Sequence, residues 1–243
     1  MVRLGPFTMR LFPLLVITLL SSGTAVGAAD RSYLITIPTL SVSSPEGAVS
    51  SPEGSVSSPG SKPIGAPSYT IIQVVRLSQP VGPEILFNEG PRGLGAFKGS
   101  VLGADWKEAA LKATLAASRA VGEDPRTWQV TLKGASSGYP MYGPSASAAL
   151  AIAMVVARRG DTLLPGVVIT GTVDPEGQIS AVGRLPEKIL LAAGAGFSTI
   201  LIPSGQTHTH DWDLRPLAES LNLTVMEVST LKEAYERMTG QSF

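Results

Sequence analysis

The chain has 243 residues, enough for one large or two small domains, and 44% of them are hydrophobic against 16% charged, ample for a buried core. Nineteen basic residues balance nineteen acidic ones, which gives no footing for nucleic acid or another polyanion as partner. Cysteine is absent, so disulfides, thiolate metal sites and thiol catalysis are excluded.

Residues 1–29, MVRLGPFTMRLFPLLVITLLSSGTAVGAA, carry arginines at 3 and 10, an apolar run from 11 to 20 and a small-residue exit. This is the pattern of a secretory signal. The alternative is an uncleaved membrane anchor, but about 10 strongly apolar residues is short for a span of about 20. The reading is an extracytoplasmic protein whose domain occupies 30–243, with membrane attachment only if the leader stays in place. SYLITIPTLSV (32–42) reads as a first strand. Val42-Ser-Ser-Pro-Glu-Gly then recurs from Val49 and, shortened, from Val56. A proline in every copy forbids a continuous helix. Residues 43–68 therefore read as a flexible Ser/Pro/Gly-rich insertion.

YTIIQVVRL (69–77) and PEILFNEG (83–90) read as a pair of strands joined around Pro80-Val81-Gly82. Asp105 with Glu108 opens a helix running to Gly122, in a capping-box pattern. TWQVTLKG (127–134) is a strand, and 163–183 reads as two strands around the turn Asp174-Pro175-Glu176-Gly177. Pro186 starts a helix, FSTILIP (197–203) is a strand, and a helix, strand and helix finish the chain. Strands and helices mixed without strict alternation predict an α+β fold.

Two residues hold chemical interest. Ser145 stands at the mouth of the small-residue helix GPSASAALAIAMVVARRG (143–160), as an ordinary N-cap or as a nucleophile using the helix N-terminus. Lys188 lies in the first turn after Pro186, where the helix dipole disfavours a cation. It either escapes to solvent or, buried near Leu185 and Ile189, loses its proton near neutrality and becomes a usable base for a serine hydroxyl. Histidine at 208 and 210 with Asp211 and Asp213 has a metal-like composition but reads as a surface loop. Asn222-Leu-Thr224 is a glycosylation sequon that matters only in a glycosylating host.

Gly143-Pro144-Ser145-Ala146, Thr170-Gly171, Gly177-Gln178-Ile179-Ser180-Ala181-Val182-Gly183 and Pro186-Glu187-Lys188 follow one another in an order that resembles the proteolytic domain of the Lon proteases, a family of Ser–Lys peptidases. The similarity extends to the helix entry GSVLGADWKEAALKATLAA and the ending VSTLKEAYE. The resemblance implies a ribosomal-protein-S5-domain-2-like α+β fold, with Ser145 as nucleophile and Lys188 as base. Thr170 would hold the lysine amine, its other reading being a β-branched strand residue, and Gly143, Pro144 and Ala146 would shape the nucleophile turn. It implies polypeptide substrates and no cofactor or metal, and it is compatible with a homo-oligomer.

Three positions depart from the family pattern: Tyr142 where an acid often precedes the turn, Arg184 in place of the second glycine, and Thr172 in place of a glutamate. A Gly-x-x-x-x-Gly-Lys-(Ser/Thr) phosphate loop is absent from the sequence, and Gly93-Leu94-Gly95 is a weak substitute. The expectation is an ATP-independent endopeptidase limited to unfolded or extended chains. The rival from another class is a non-catalytic protein-binding module on the same fold, which expects Lys188 exposed or out of reach of Ser145. A small-molecule kinase would need a better phosphate-cradling loop.

Overall fold

Period-two alternation builds the first sheet. The computed structural model describes residues 32–42, 65–88, 102–135 and 141–243. The expected leader, the repeats over 43–64 and the Gly93-Leu94-Gly95 turn lie outside the described residues. In chain order the first part comprises β1 (Leu34–Val42), β2 (Gly65–Arg76), β3 (Glu84–Asn88), α1 (Ala104–Ala120) and β4 (Trp128–Ala135). They form a sheet ordered β1-β2-β4-β3, antiparallel except for the β3–β4 pair. Thr70, Ile72 and Val74 of β2 and Trp128, Val130 and Leu132 of β4 all turn inward, in register, so one face of the sheet is core.

Two expectations are corrected here. Residues 65–68 belong to β2 rather than to the insertion: Gly65 faces Val42, and the buried Thr39 hydroxyl donates to the Ser68 carbonyl at 3.3 Å. β2 and β3 are not partners but flank β4 on either side. The connection between them crosses the start of β4, held by the Leu77 and Gly82 N–H groups donating to the carbonyls of Thr127 and Arg126, each at 2.7 Å. β3 then returns to β4 through α1, the crossover a parallel pair requires.

The second part comprises α2 (Ser147–Arg159), β5 (Val167–Ile169), β6 (Thr172–Val173), β7 (Ile179–Ser180), α3 (Leu185–Gly194), β8 (Thr199–Pro203), α4 (Arg215–Ser220), β9 (Thr224–Val228) and α5 (Leu231–Thr239). α2 is apolar on every side and is buried from Ser147 to Ala157, between the first sheet and α1 and α5. Gly160, left-handed at φ 75°, closes it. β5, β8 and β9 form a parallel sheet, and β6 and β7 a separate hairpin. The segment 163–183 therefore holds three strands, not two. The break falls at Gly171: the Thr170 N–H still donates to Leu201 in β8, but the Gly171 N–H turns away to the Ser145 carbonyl. The whole is an α+β fold of helices packed on separate small sheets.

Candidate active site

The break at Gly171 is what creates the site. Pro144–Ala146 form one 3-10 turn running into α2, and Gly143 precedes it at φ 83°, a left-handed conformation that favours glycine. The Ser145 carbonyl accepts the Gly171 N–H at 2.9 Å and, at the limit of 3.5 Å, the Thr170 hydroxyl. The Ala148 N–H donates back to the Gly171 carbonyl at 3.1 Å. No room exists at Gly171 for a side chain, since a Cβ there would lie 2.8 Å from Ile179 Cγ2. The serine turn and the exit of β5 are thus locked together through backbone groups.

Ser145 is not a cap. The residue at the N-cap of α2 is Ala146, without a side-chain cap bond, and the Ser145 side chain is half-buried and forms no hydrogen bond among the described residues. The serine with the structural task is Ser147, which is buried. Its hydroxyl donates to the Pro144 carbonyl at 2.8 Å and accepts the Val173 N–H at 2.9 Å. Nothing in the sequence separated Ser147 from Ser145 by that criterion.

Lys188 comes from the other side. Gln206 holds the chain ahead of α3, its amide accepting the Val182 N–H at 3.0 Å and donating to the Val182 carbonyl at 2.9 Å. Arg184 then turns left-handed, at φ 59°, and starts α3 with Pro186 in its first turn. Leu185 and Ile189 are fully buried, and they carry Lys188 inward with them to 5% exposure. Its ammonium donates to Thr170 Oγ1 at 3.0 Å. Burial strips water from the cation, the positive charge of Arg184 adds to the effect, and Glu187 opposes it, leaving the lysine at about 8 instead of 10.5. Arg184 and Glu187 form an ion pair at 3.2 Å, and the Arg184 guanidinium also reaches the Val42 carbonyl at 3.5 Å.

Thr170 therefore joins the lysine to the serine turn: its hydroxyl accepts from Lys188 and donates to the Ser145 backbone. Lys188 makes no direct hydrogen bond to the Ser145 hydroxyl. Gly143 and Ala146 stand at the two ends of the serine turn, Ala146 against the main core and Pro144 facing solvent. Tyr142, directly before Gly143, is 65% exposed. Asp105, expected as the N-cap of the first helix, lies inside α1, which is capped by Gly103. Its carboxylate accepts the Gly143 N–H at 2.6 Å, a role at the site that a capping pattern does not announce.

The histidine loop is organised differently. Asp213 is held by Arg215 at 2.6 Å, with His208 Nδ1 3.5 Å away, and among the described residues no group of three or more His, Asp or Glu is placed to hold a metal ion.

Comparison with known proteins gives the same grouping of elements a family. Residues 105–239, more than half of the chain, match the Lon protease (S16) C-terminal proteolytic domain. The chain is 29% identical over 163 residues to a Lon protease of Chloroflexus aurantiacus, covering 63% of this chain and 20% of that one. It is 29% identical over 172 residues to a Lon protease of Methylocella silvestris, covering 66% and 21%. With Lon protease 1 of Herpetosiphon aurantiacus the identity is 36% over 135 residues, covering 51% and 16%. The chain spans about a fifth of the length of these curated relatives. From Asp105 to Thr239, through the serine turn, the β5 exit and the lysine helix, this chain belongs to the Lon protease (S16) proteolytic-domain family, a family of peptidases.

Proposed function

We propose that the protein is a serine-type endopeptidase in which Ser145 is the nucleophile and Lys188 its general base and acid. The observation that carries the reading is the buried Lys188, close to losing its proton at neutral pH and tied by Thr170 to the serine turn. A lysine on a non-catalytic module has no need of burial, which costs a charged group free energy. In the reaction, neutral Nζ accepts the hydroxyl proton as Ser145 Oγ bonds to the substrate carbonyl carbon. The oxyanion faces the backbone N–H groups of Ser145 and a neighbouring residue of the turn. The same proton passes from Nζ to the leaving amine as the C–N bond breaks, and water then resolves the ester. For the first step Nζ has to move from Thr170 Oγ1 into hydrogen-bond reach of Ser145 Oγ, a contact made when substrate binds.

The substrates we infer are unfolded or extended polypeptides, cleaved outside the cytoplasm without ATP. The leader-like residues 1–29 and the lack of a phosphate loop in this sequence support that inference. The test is hydrolysis of casein by the purified protein, with and without ATP, beside Ser145→Ala and Lys188→Ala. Cleavage that ignores ATP and disappears in both variants is expected. Retention of cleavage by either variant overturns the dyad. Binding of casein without hydrolysis by the unaltered protein turns the reading to a binding module.

A further inference from the structure

The serine turn is held from behind by β5, but its front face is held by a different element. The backbone at Leu102 bridges in parallel to Met141, and the Gly103 N–H donates to the Met141 carbonyl at 2.9 Å. One residue on, the Tyr142 ring lies across Gly103: a Cβ there would meet the ring at 2.5 Å and the Asp105 carboxylate at 2.6 Å, so a side chain at 103 would displace one or both. One residue further, the Gly143 N–H is bound by the Asp105 carboxylate at 2.6 Å. The other oxygen of that carboxylate accepts the Trp106 N–H at 2.8 Å, one of the donors that a helix's first turn leaves without an intrahelical partner. Asp105 thus bridges the N-terminus of α1, which is seated in the core by the buried Trp106, to the residue two before Ser145.

We propose that Asp105 is a positioning residue for the nucleophile: its carboxylate locks the left-handed Gly143 and so fixes where Ser145 points. A carboxylate is needed rather than any polar group, because both of its oxygens accept from backbone N–H groups. An amide in its place would turn an NH2 toward one of those donors. The lock is also charge-assisted, which makes it shorter and stronger than a neutral bond. Tyr142, which stands where a family member often carries an acid, leaves the turn without a local carboxylate, and Asp105 supplies one from another element.

The inference rests on the peptidase reading for its catalytic consequence but not for its structural one, and the experiment separates them. Amide hydrogen exchange at Gly143 and the rate of Ser145 labelling by a fluorophosphonate are measured in the full protein, in Asp105→Ala and in Asp105→Asn. We expect Gly143 to be protected in the unaltered protein and to lose protection in both variants, with thermal midpoints within a few degrees of each other because Asp105 is exposed. We expect labelling to fall about tenfold to a hundredfold in both, the usual cost of a small misplacement of a reacting group. Peptide hydrolysis should lose kcat while KM stays unchanged. Gly143 exchange that is the same in all three proteins overturns the lock, and unchanged labelling in Asp105→Ala overturns its positioning role. If the unaltered protein is not labelled at all, the peptidase reading falls, and Gly143 exchange still decides whether the lock exists.

Discussion

The Lys188 ammonium rests 3.0 Å from the Thr170 hydroxyl, in a setting where the lysine is only 5% exposed and its opposing carboxylate, Glu187, is shared with Arg184. A cation buried with so little compensation is a burden on the fold. Below about pH 8 the folded and unfolded chains both hold the proton, and the burial penalty is present in full. Between about 8 and 10.5 the folded chain has released a proton that the unfolded chain still holds, so stability rises with pH. Above that window both are neutral and the penalty is gone.

Lys188→Met is therefore expected to abolish hydrolysis while stabilising the protein near pH 7, by up to about 3 kcal/mol. The gain should shrink as denaturation is repeated at increasing pH through that window. Urea unfolding at pH 7 and pH 10 measures it. A variant less stable than the parent at pH 7 would show that the lysine is not the burden its burial implies.

Ser145 and Ser147 should part in opposite ways. Ser145→Ala removes a hydroxyl with no hydrogen bond among the described residues, so activity goes and stability stays within about 0.5 kcal/mol. Ser147→Ala leaves the buried Val173 N–H without its acceptor and costs about 1–3 kcal/mol. Paired thermal melts and casein assays read both effects. Equal stability losses would contradict the assignment of the structural role to Ser147.

Much of this arrangement was legible in the sequence. Alternation placed the first sheet, Pro186 and its apolar neighbours placed the lysine helix, and the ordered motifs placed Ser145, Thr170 and Lys188 together. What escaped was set by contacts distant in the chain. The β2–β3 hairpin looked local, yet β4, just over fifty residues after β2 ends, supplies the partner for both strands. The strand break at Gly171 is fixed by a backbone bond to Ser145, and no periodicity in 163–183 reveals it. Asp105 carried an ordinary capping pattern, and only the approach of 141–143 gives its carboxylate a second donor.

Thr170 should behave as a positioning residue. Thr170→Val keeps the shape but removes the acceptor of the Lys188 bond and the donor to the Ser145 carbonyl. We expect kcat to fall about tenfold to a hundredfold with KM unchanged. Thr170→Ser, which retains the hydroxyl, should recover most of the loss. Steady-state kinetics on a short peptide checks this, and an equal loss in the serine variant would assign Thr170 to packing alone.

The charges flanking the lysine helix should shift the pH dependence in opposite directions. Activity is expected to rise with pH along a limb near 8, as Lys188 loses its proton. Arg184 pushes that value down and Glu187 pulls it up, and the two are paired with one another. Removing either one therefore acts twice, through its own charge and through the release of its partner's. Arg184→Gly also suits the left-handed backbone at φ 59°, which separates the electrostatic effect from strain. It should move the limb to higher pH and lower activity at pH 7 roughly two- to threefold. Glu187→Gln should move the limb to lower pH and raise the fraction of active enzyme at pH 7. The decisive measurement is the pH profile of kcat/KM for all three proteins, which reports the free enzyme. Limbs displaced in the same direction would mean that the titrating group is not the lysine between these two charges.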